Sequence, residues 1–177
     1  MIKIFKHICI GATIGGVASF LMMVLGFFAY KIKSPIAGII DGWVWIFIEI
    51  LTVVFISKYY FTKEPILQMS KKRVFFVGSF ITLWFSITWS AISFIFIKFI
   101  YPNYETEMIR YLYHPSPFAS AAETKGMYLV AQLGANAYSG SIIHFISGVI
   151  IGLIASSIIG LNFNRLNIYR NLTSRST

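Results

Sequence analysis

Four long apolar runs, at residues 8–30, 36–60, 74–100 and 139–161, dominate this sequence. Each reaches the ~20 residues needed to cross the hydrocarbon core of a bilayer. Backbone N–H and C=O groups find no water in lipid, so a spanning segment must satisfy them internally. A β-barrel would require short strands of alternating polarity, and the chain has none of that pattern. The expected fold is therefore all-α: a four-helix transmembrane bundle forming one integral membrane domain over residues 1–177. A cleavable signal peptide is the rival for the first run, but apolar residues continue well beyond the about 7–15 of a signal-peptide core. Composition agrees with the membrane reading. Only 12% of residues are charged, against about 25% in soluble chains, which is too few to solvate the surface of a small protein. The lipid bilayer is the implied partner.

Placement of Lys and Arg sets the orientation. With the N-terminus inside, the inner segments carry Lys3, Lys6, Lys58, Lys63, Lys71, Lys72, Arg73, Arg165, Arg170 and Arg175. The outer segments carry Lys31, Lys33, Lys98, Arg110 and Lys125. Ten bases against five predicts a multi-pass protein of the cell (plasma) membrane with both termini cytoplasmic. The net charge of +9 then reads as topology signals and headgroup contacts, and no nucleic-acid partner is implied. Cys9 is the single cysteine, so no intrachain disulfide can form.

The connections carry their own signals. Lys31 to Pro35 makes a tight turn, with Pro35 suited to the first turn of the next helix. The long connection from Tyr101 to Tyr138 is broken by Pro102, Pro115 and Pro117. Ser120 and Glu123 have capping-box spacing. A short amphipathic helix over about 121–133 is expected there, with Met127, Val130 and Leu133 on one side, lying in the outer interface because it is too short to span. Tyr30, Tyr59, Tyr60, Tyr101, Tyr104, Tyr111 and Tyr113 gather at span ends, as an interfacial belt does.

Small residues mark helix contacts. Gly11, Gly15 and Ser19 recur one turn apart in the first run, and Gly140, His144, Gly148, Gly152, Ser156 and Gly160 do so in the fourth. Lipid supplies little hydrophobic drive between helices, so close backbone approach has to supply the contact. Gly11, Gly15, Gly148 and Gly152 are the expected packing residues. The third run carries Ser79, Ser86 and Ser93, with Thr82 and Ser90 beside them. Such hydroxyls either bond back to carbonyls of their own helix or line a water path.

Three ionisable side chains fall inside the runs: Asp41, Glu49 and His144. Glu49 sits near mid-span, where a carboxylate costs about 2.5–3.5 kcal/mol on insertion scales. Two readings are open, a neutral acid bonded to a neighbouring hydroxyl as packing glue, or a proton or cation site. Asp41 and His144 lie at equal depth below the outer surface, so a His–Asp pair is geometrically open, either as a structural hydrogen bond or as a relay. The chain carries no H-E-x-x-H, no G-x-S-x-G and no P-loop. No catalytic, cofactor-binding or metal residues are expected, and no cofactor.

Phe76-Val-Gly-Ser-Phe80, the span end Phe-Ile-Tyr-Pro102, the long polar loop and the run Ser147 to Ser156 together resemble a widespread bacterial family of small four-span membrane proteins of unknown function. The resemblance covers about half the chain. It implies four spans and a bacterial cytoplasmic membrane, and brings no catalytic residues. The function expected from the sequence is a non-enzymatic subunit, partner or scaffold in the membrane, with a homo-oligomer or a membrane-protein partner both open. The alternative is a proton- or cation-coupled transport component using Glu49.

Overall fold

The computed structural model describes residues 2–34, 36–63, 71–112 and 120–173, and every regular element among them is helical. Helix α1 is Ile2–Lys31. Helix α2 runs over 37–63, with a π-helical turn at Ile40–Val44 leading into the regular helix Trp45–Lys63. Helix α3 covers 71–100, regular over Lys71–Ile95 and π-helical over Phe96–Ile100. Helices α4, α5 and α6 are Tyr104–Leu112, Ala121–Ala135 and Ala137–Thr173. Pro35, Tyr113, Pro115 and Pro117 lie outside the described residues.

Among the described residues, three stretches are long and apolar enough to cross a membrane: Phe5–Lys31, Lys72–Ile100 and Ala137–Leu161. Helix α2 is not among them; its regular part carries Glu49, Lys58 and Lys63 within 19 residues. The outward faces are those that lipid solvates. In α6, Ile142, Ile146, Ile150, Ile154 and Ile158 form an exposed stripe at four-residue spacing, and α1 exposes Ile14, Leu21, Leu25 and Phe28 at helical spacings of seven, four and three.

Helix α3 is the hub, packing most extensively on α6 and next on α1, while α2 also touches α1 and α6. Ile8, Ala12, Val53, Ile81, Phe85, Trp89 and Ala155 form the core between them. The tightest contact is a seam in which the small residues of α6 face the hydroxyl residues of α3. A methyl group added at Gly148 would lie 2.5 Å from Ser86 Oγ, and one at Gly152 would run into Thr82. The same holds where Gly78 of α3 meets Ser156. On the other side of the bundle, Gly15 of α1 abuts Thr52 of α2, and Gly11 abuts Ile56. Polar bonds also cross between the long helices: Trp84 Nε1 donates to Thr13 Oγ1 at 2.9 Å, Ser90 Oγ to the Ser141 carbonyl at 2.8 Å and Arg73 Nη2 to the Tyr60 hydroxyl at 2.9 Å.

A second core caps one end of the bundle, built from Phe27, Ile97, Tyr104, Met108, Ala135 and Ala137. Phe27 is its centre, with Tyr104 at 5.0 Å and Tyr101 at 5.6 Å between ring centroids. Tyr104 is only 3% exposed, so this tyrosine is core rather than part of an interfacial belt. Helix α4, which supplies Tyr104 and Met108, is absent from the sequence expectation. Its signal is local: Glu105 and Glu107 in the first turn and Arg110 in the last, charges that complement the helix dipole.

Polar ties lock the cap. Glu107 accepts from Lys31 Nζ at 3.2 Å and from the Tyr101 hydroxyl at 2.8 Å; the Tyr101 hydroxyl, and after it Lys31, hold its carboxyl below the usual value of 4.5. Glu105 accepts from Asn136 Nδ2 at 3.0 Å, and the Asn136 side-chain oxygen in turn caps the start of α6 by accepting from the Tyr138 and Ser139 N–H groups. At α5 both arms of a capping box are made between Ser120 and Glu123.

The seam yields a test. Gly148→Ala and Gly152→Ala are expected to lower stability by about 1–3 kcal/mol each, the usual penalty for overpacking. Leu153→Ala, on a half-exposed position of the same helix, should stay below about 1 kcal/mol because lipid solvates the side chain in either state. Unfolding of the three variants in detergent measures this, and equal midpoints would show that α3 and α6 do not depend on close approach.

Candidate functional site

Helix α2 carries Glu49 into the bundle because the residues around it are small or hydroxylated. The carboxyl faces Gly148 of α6 and the Ser86 side of α3; a methyl group at Gly148 would sit 3.7 Å from Glu49 Oε1. Glu49 is 0% exposed. Neither of its carboxyl oxygens has a hydrogen-bond partner among the described residues. The packing-glue reading calls for a bond to a neighbouring hydroxyl, and none is made among the described residues.

The hydroxyls themselves fall into two groups. Ser79, Thr88, Ser156 and Ser157 donate to the carbonyl four residues earlier in their own helix, at 2.7–2.9 Å, and Thr52 does so to Ile48. These hydroxyls are satisfied within their own helices. Ser19, Ser57, Thr82, Ser86, Ser93 and Ser141 are buried with hydroxyl oxygens that have no partner among the described residues. Thr82 and Ser86 belong to the seam beside Glu49. Ser19 of α1 lies one turn beyond Gly15, whose neighbour Thr52 is itself one turn from Glu49.

His144 stands one turn from Gly148 on α6. Its ring stacks on Trp89 of α3, with centroids 4.6 Å apart and planes within 5°. Trp89 packs in turn against Trp45 of α2 at 4.7 Å, one turn from Glu49. His144, Trp89, Trp45, Met23 and Ile40 line a cavity of about 100 Å³. Two polar atoms of these residues, His144 Nδ1 and Trp89 Nε1, are buried without a hydrogen-bond partner among the described residues. Asp41 is in the π-helical turn of α2 next to Ile40; its side chain lies outside the described part, so the pairing with His144 does not enter the site.

The structure thus brings Glu49 and His144 to adjacent layers of one interior, joined through Gly148 and the Trp45–Trp89 pair. The sequence reading missed both tryptophans. Their signal was the polar N–H of an indole at a position too deep for an interfacial anchor. Among the described residues no three His, Cys, Asp or Glu side chains converge in a way that could hold a metal ion. Comparison with protein-family models, curated proteins and solved structures returns no match, so the site's chemistry rests on its own geometry.

A buried polar group without a partner weakens the fold. Glu49→Leu is therefore expected to raise stability in detergent by about 1–3 kcal/mol, the desolvation penalty it removes, whereas Glu49→Gln should leave it near wild type. A Leu variant less stable than wild type would mean that the carboxyl is held by interactions of its own.

Proposed function

We propose that the chain is a four-span protein of the cytoplasmic membrane, with α2 as its fourth span and both termini inside. In this reading it works without covalent catalysis, as a proton-coupled membrane component whose exchangeable group is Glu49. The observation that carries the reading is the complete burial of a carboxyl whose two oxygens bond to nothing around them. A residue kept for stability would be bonded. One that weakens the bundle is better explained by what it does, and intramembrane acids mark ion and proton pathways by default. At that depth the carboxyl needs a proton, a water or a cation. The surrounding groups are hydroxyls, an imidazole and an indole rather than the six or more oxygens a hard divalent cation demands, which favours the proton.

The topology rests on the charge asymmetry and on the lipid-solvated faces of α1 and α6. The cap around Phe27 belongs to the outer face in this orientation. Helix α5 lies in the outer interface, since Met127, Leu129, Val130 and Leu133 are all exposed and its polar start is closed by the Ser120 capping box. A second reading, a passive subunit or scaffold for a membrane partner, draws on the tight α3–α6 seam, where a methyl group at Gly148 or Gly152 would collide with Ser86 or Thr82.

Topology is tested by reporter fusions. Those after Met69 and after Arg170 should report cytoplasm, and one after Glu123 should report the outer side. A fusion after Glu123 that reports cytoplasm removes the orientation or the span count.

Function is tested by proton flux in reconstituted vesicles under an imposed gradient. Wild-type protein should pass protons, and Glu49→Gln, which keeps the shape and hydrogen-bonding capacity but cannot exchange a proton, should not. Equal flux in both proteins rejects Glu49 as the exchanging group, and no flux in either favours the passive reading.

A further inference from the structure

We infer that the groove between the start of α3 and the far part of α6, lined by Lys72, Phe75, Phe76, Ser157, Gly160 and Leu161, binds one anionic phospholipid, with an acyl chain along the groove and the headgroup phosphate at Lys72. This goes beyond the proton-coupled reading and does not rest on it. The groove holds about 650 Å³, within the range of ~300–1,000 Å³ usual for small-molecule sites. It opens where the seam between α3 and α6 ends. The seam sets Gly148 against Ser86, Gly152 against Thr82 and Ser156 against Gly78. The small-residue spacing of α6 continues one turn further to Gly160, and there the close contact gives way to open space.

The lining is polar at one end and apolar along its length, as an amphiphile requires. Lys72 is the first residue of one membrane-crossing stretch and Leu161 the last of another, so the groove lies where acyl chains give way to headgroups. Its walls are aromatic and aliphatic: Phe75 and Phe76 meet edge to face at 6.3 Å, and Phe76 and Leu161 are 69% and 75% exposed. The Ser157 hydroxyl already donates to the Leu153 carbonyl at 2.8 Å. Lys72 is therefore the one charged group that the lining offers an occupant.

Charge selects the occupant. Lys72 is exposed and makes no ion pair among the described residues, whereas its neighbour Arg73 donates to Tyr60. The first turn of α3 holds Lys71, Lys72 and Arg73 and no acid, and the sequence beyond Leu161 adds Arg165, Arg170 and Arg175, again without an acid. A basic rim on an apolar groove between two membrane helices fits a lipid of net negative charge. A free phosphate would use the rim and leave the aromatic walls unfilled, and a zwitterionic lipid would fill the walls without balancing the rim. In the proposed orientation the site belongs to the cytoplasmic leaflet, whose surface anionic lipids make negative.

The test is native mass spectrometry of the full chain in detergent, titrated with phosphatidylglycerol or with phosphatidylcholine of the same acyl chains. Wild type should hold one phosphatidylglycerol about fivefold more tightly than phosphatidylcholine, the worth of one basic side chain at an anionic surface. Lys72→Gln should bring the two lipids to equal affinity. Gly160→Leu, which fills the groove, should weaken both; Phe76→Ala, at an exposed position, gives the same reading if the leucine variant does not fold. Lys98→Gln, at the opposite end of α3 over the Tyr138 ring, should change neither. A wild type without preference, or a Lys72→Gln protein that keeps it, overturns the proposal. So does displacement of the lipid by glycerol phosphate alone, which would make this an anion site only. Pairing of two chains that Gly160→Leu abolishes, with no lipid preference, gives the groove to a second copy and equally overturns it.

Discussion

The close approach of α3 and α6 is the contact on which the rest of the molecule depends. Neither helix has a hydrophobic reason to leave lipid for the other, because their outward Ile and Phe side chains are as well solvated by acyl chains as by protein. What holds them is dispersion between backbones brought near enough to touch, and Gly148 and Gly152 permit that against Ser86 and Thr82. The same absence of a side chain at Gly148 leaves the space into which Glu49 reaches from α2. One glycine thus fixes the helix pair and admits the acid. Larger residues there would fill the space beside the Glu49 carboxyl.

The interior this creates is polar without being satisfied. Helix hydroxyls elsewhere bond back to their own carbonyls, as Ser79 and Ser157 do. Ser86 and Thr82 of the seam beside Glu49 do not, and the Trp89 indole and the His144 Nδ1 are in the same state. Several unpartnered polar groups gathered in one part of a bundle are costly to a fold whose other contacts are aromatic and aliphatic. Thr82, Ser86, Trp89 and His144 form the part of this set that lies along α3 and α6 nearest the acid, and Ser19, Ser57, Ser93 and Ser141 extend it through the rest of the core.

Much of the helical framework was legible from the sequence, because the length of an apolar run is set by bilayer thickness and survives any detail of packing. The Ser120–Glu123 capping box was legible for a similar reason: both partners are local. The contacts were harder. In a soluble helix the buried face is the apolar one, but here lipid and core are both apolar, so residues such as Ile146 and Phe85 look alike although one is exposed and the other buried. Only the small-residue spacing gave direction. The Trp89–His144 stack joins residues 55 apart, and nothing in either neighbourhood announces the other. The cap was hidden because Phe27, Tyr101 and Tyr104 read equally well as interfacial aromatics, and α4 is too short for its periodicity to stand out among prolines.

The two π-helical turns explain how the site and the cap acquire their shapes. In a regular α-helix, residues five apart point about 140° away from each other. A turn closed by i→i+5 bonding widens the helix and brings such residues toward the same side. At the end of α3 the Tyr101 N–H bonds to the Phe96 carbonyl at 2.7 Å, and the two rings stack with planes 19° apart, which aims the Tyr101 hydroxyl at Glu107. In α2, Ile40 and Trp45, also five apart across the π-helical turn Ile40–Val44, line the same cavity. Without the widened turn one of them would face away, and the space beside His144 and Trp89 would lose a wall. The irregularity of α2 is therefore part of the site's construction, placed one turn outward from the acid that the site surrounds.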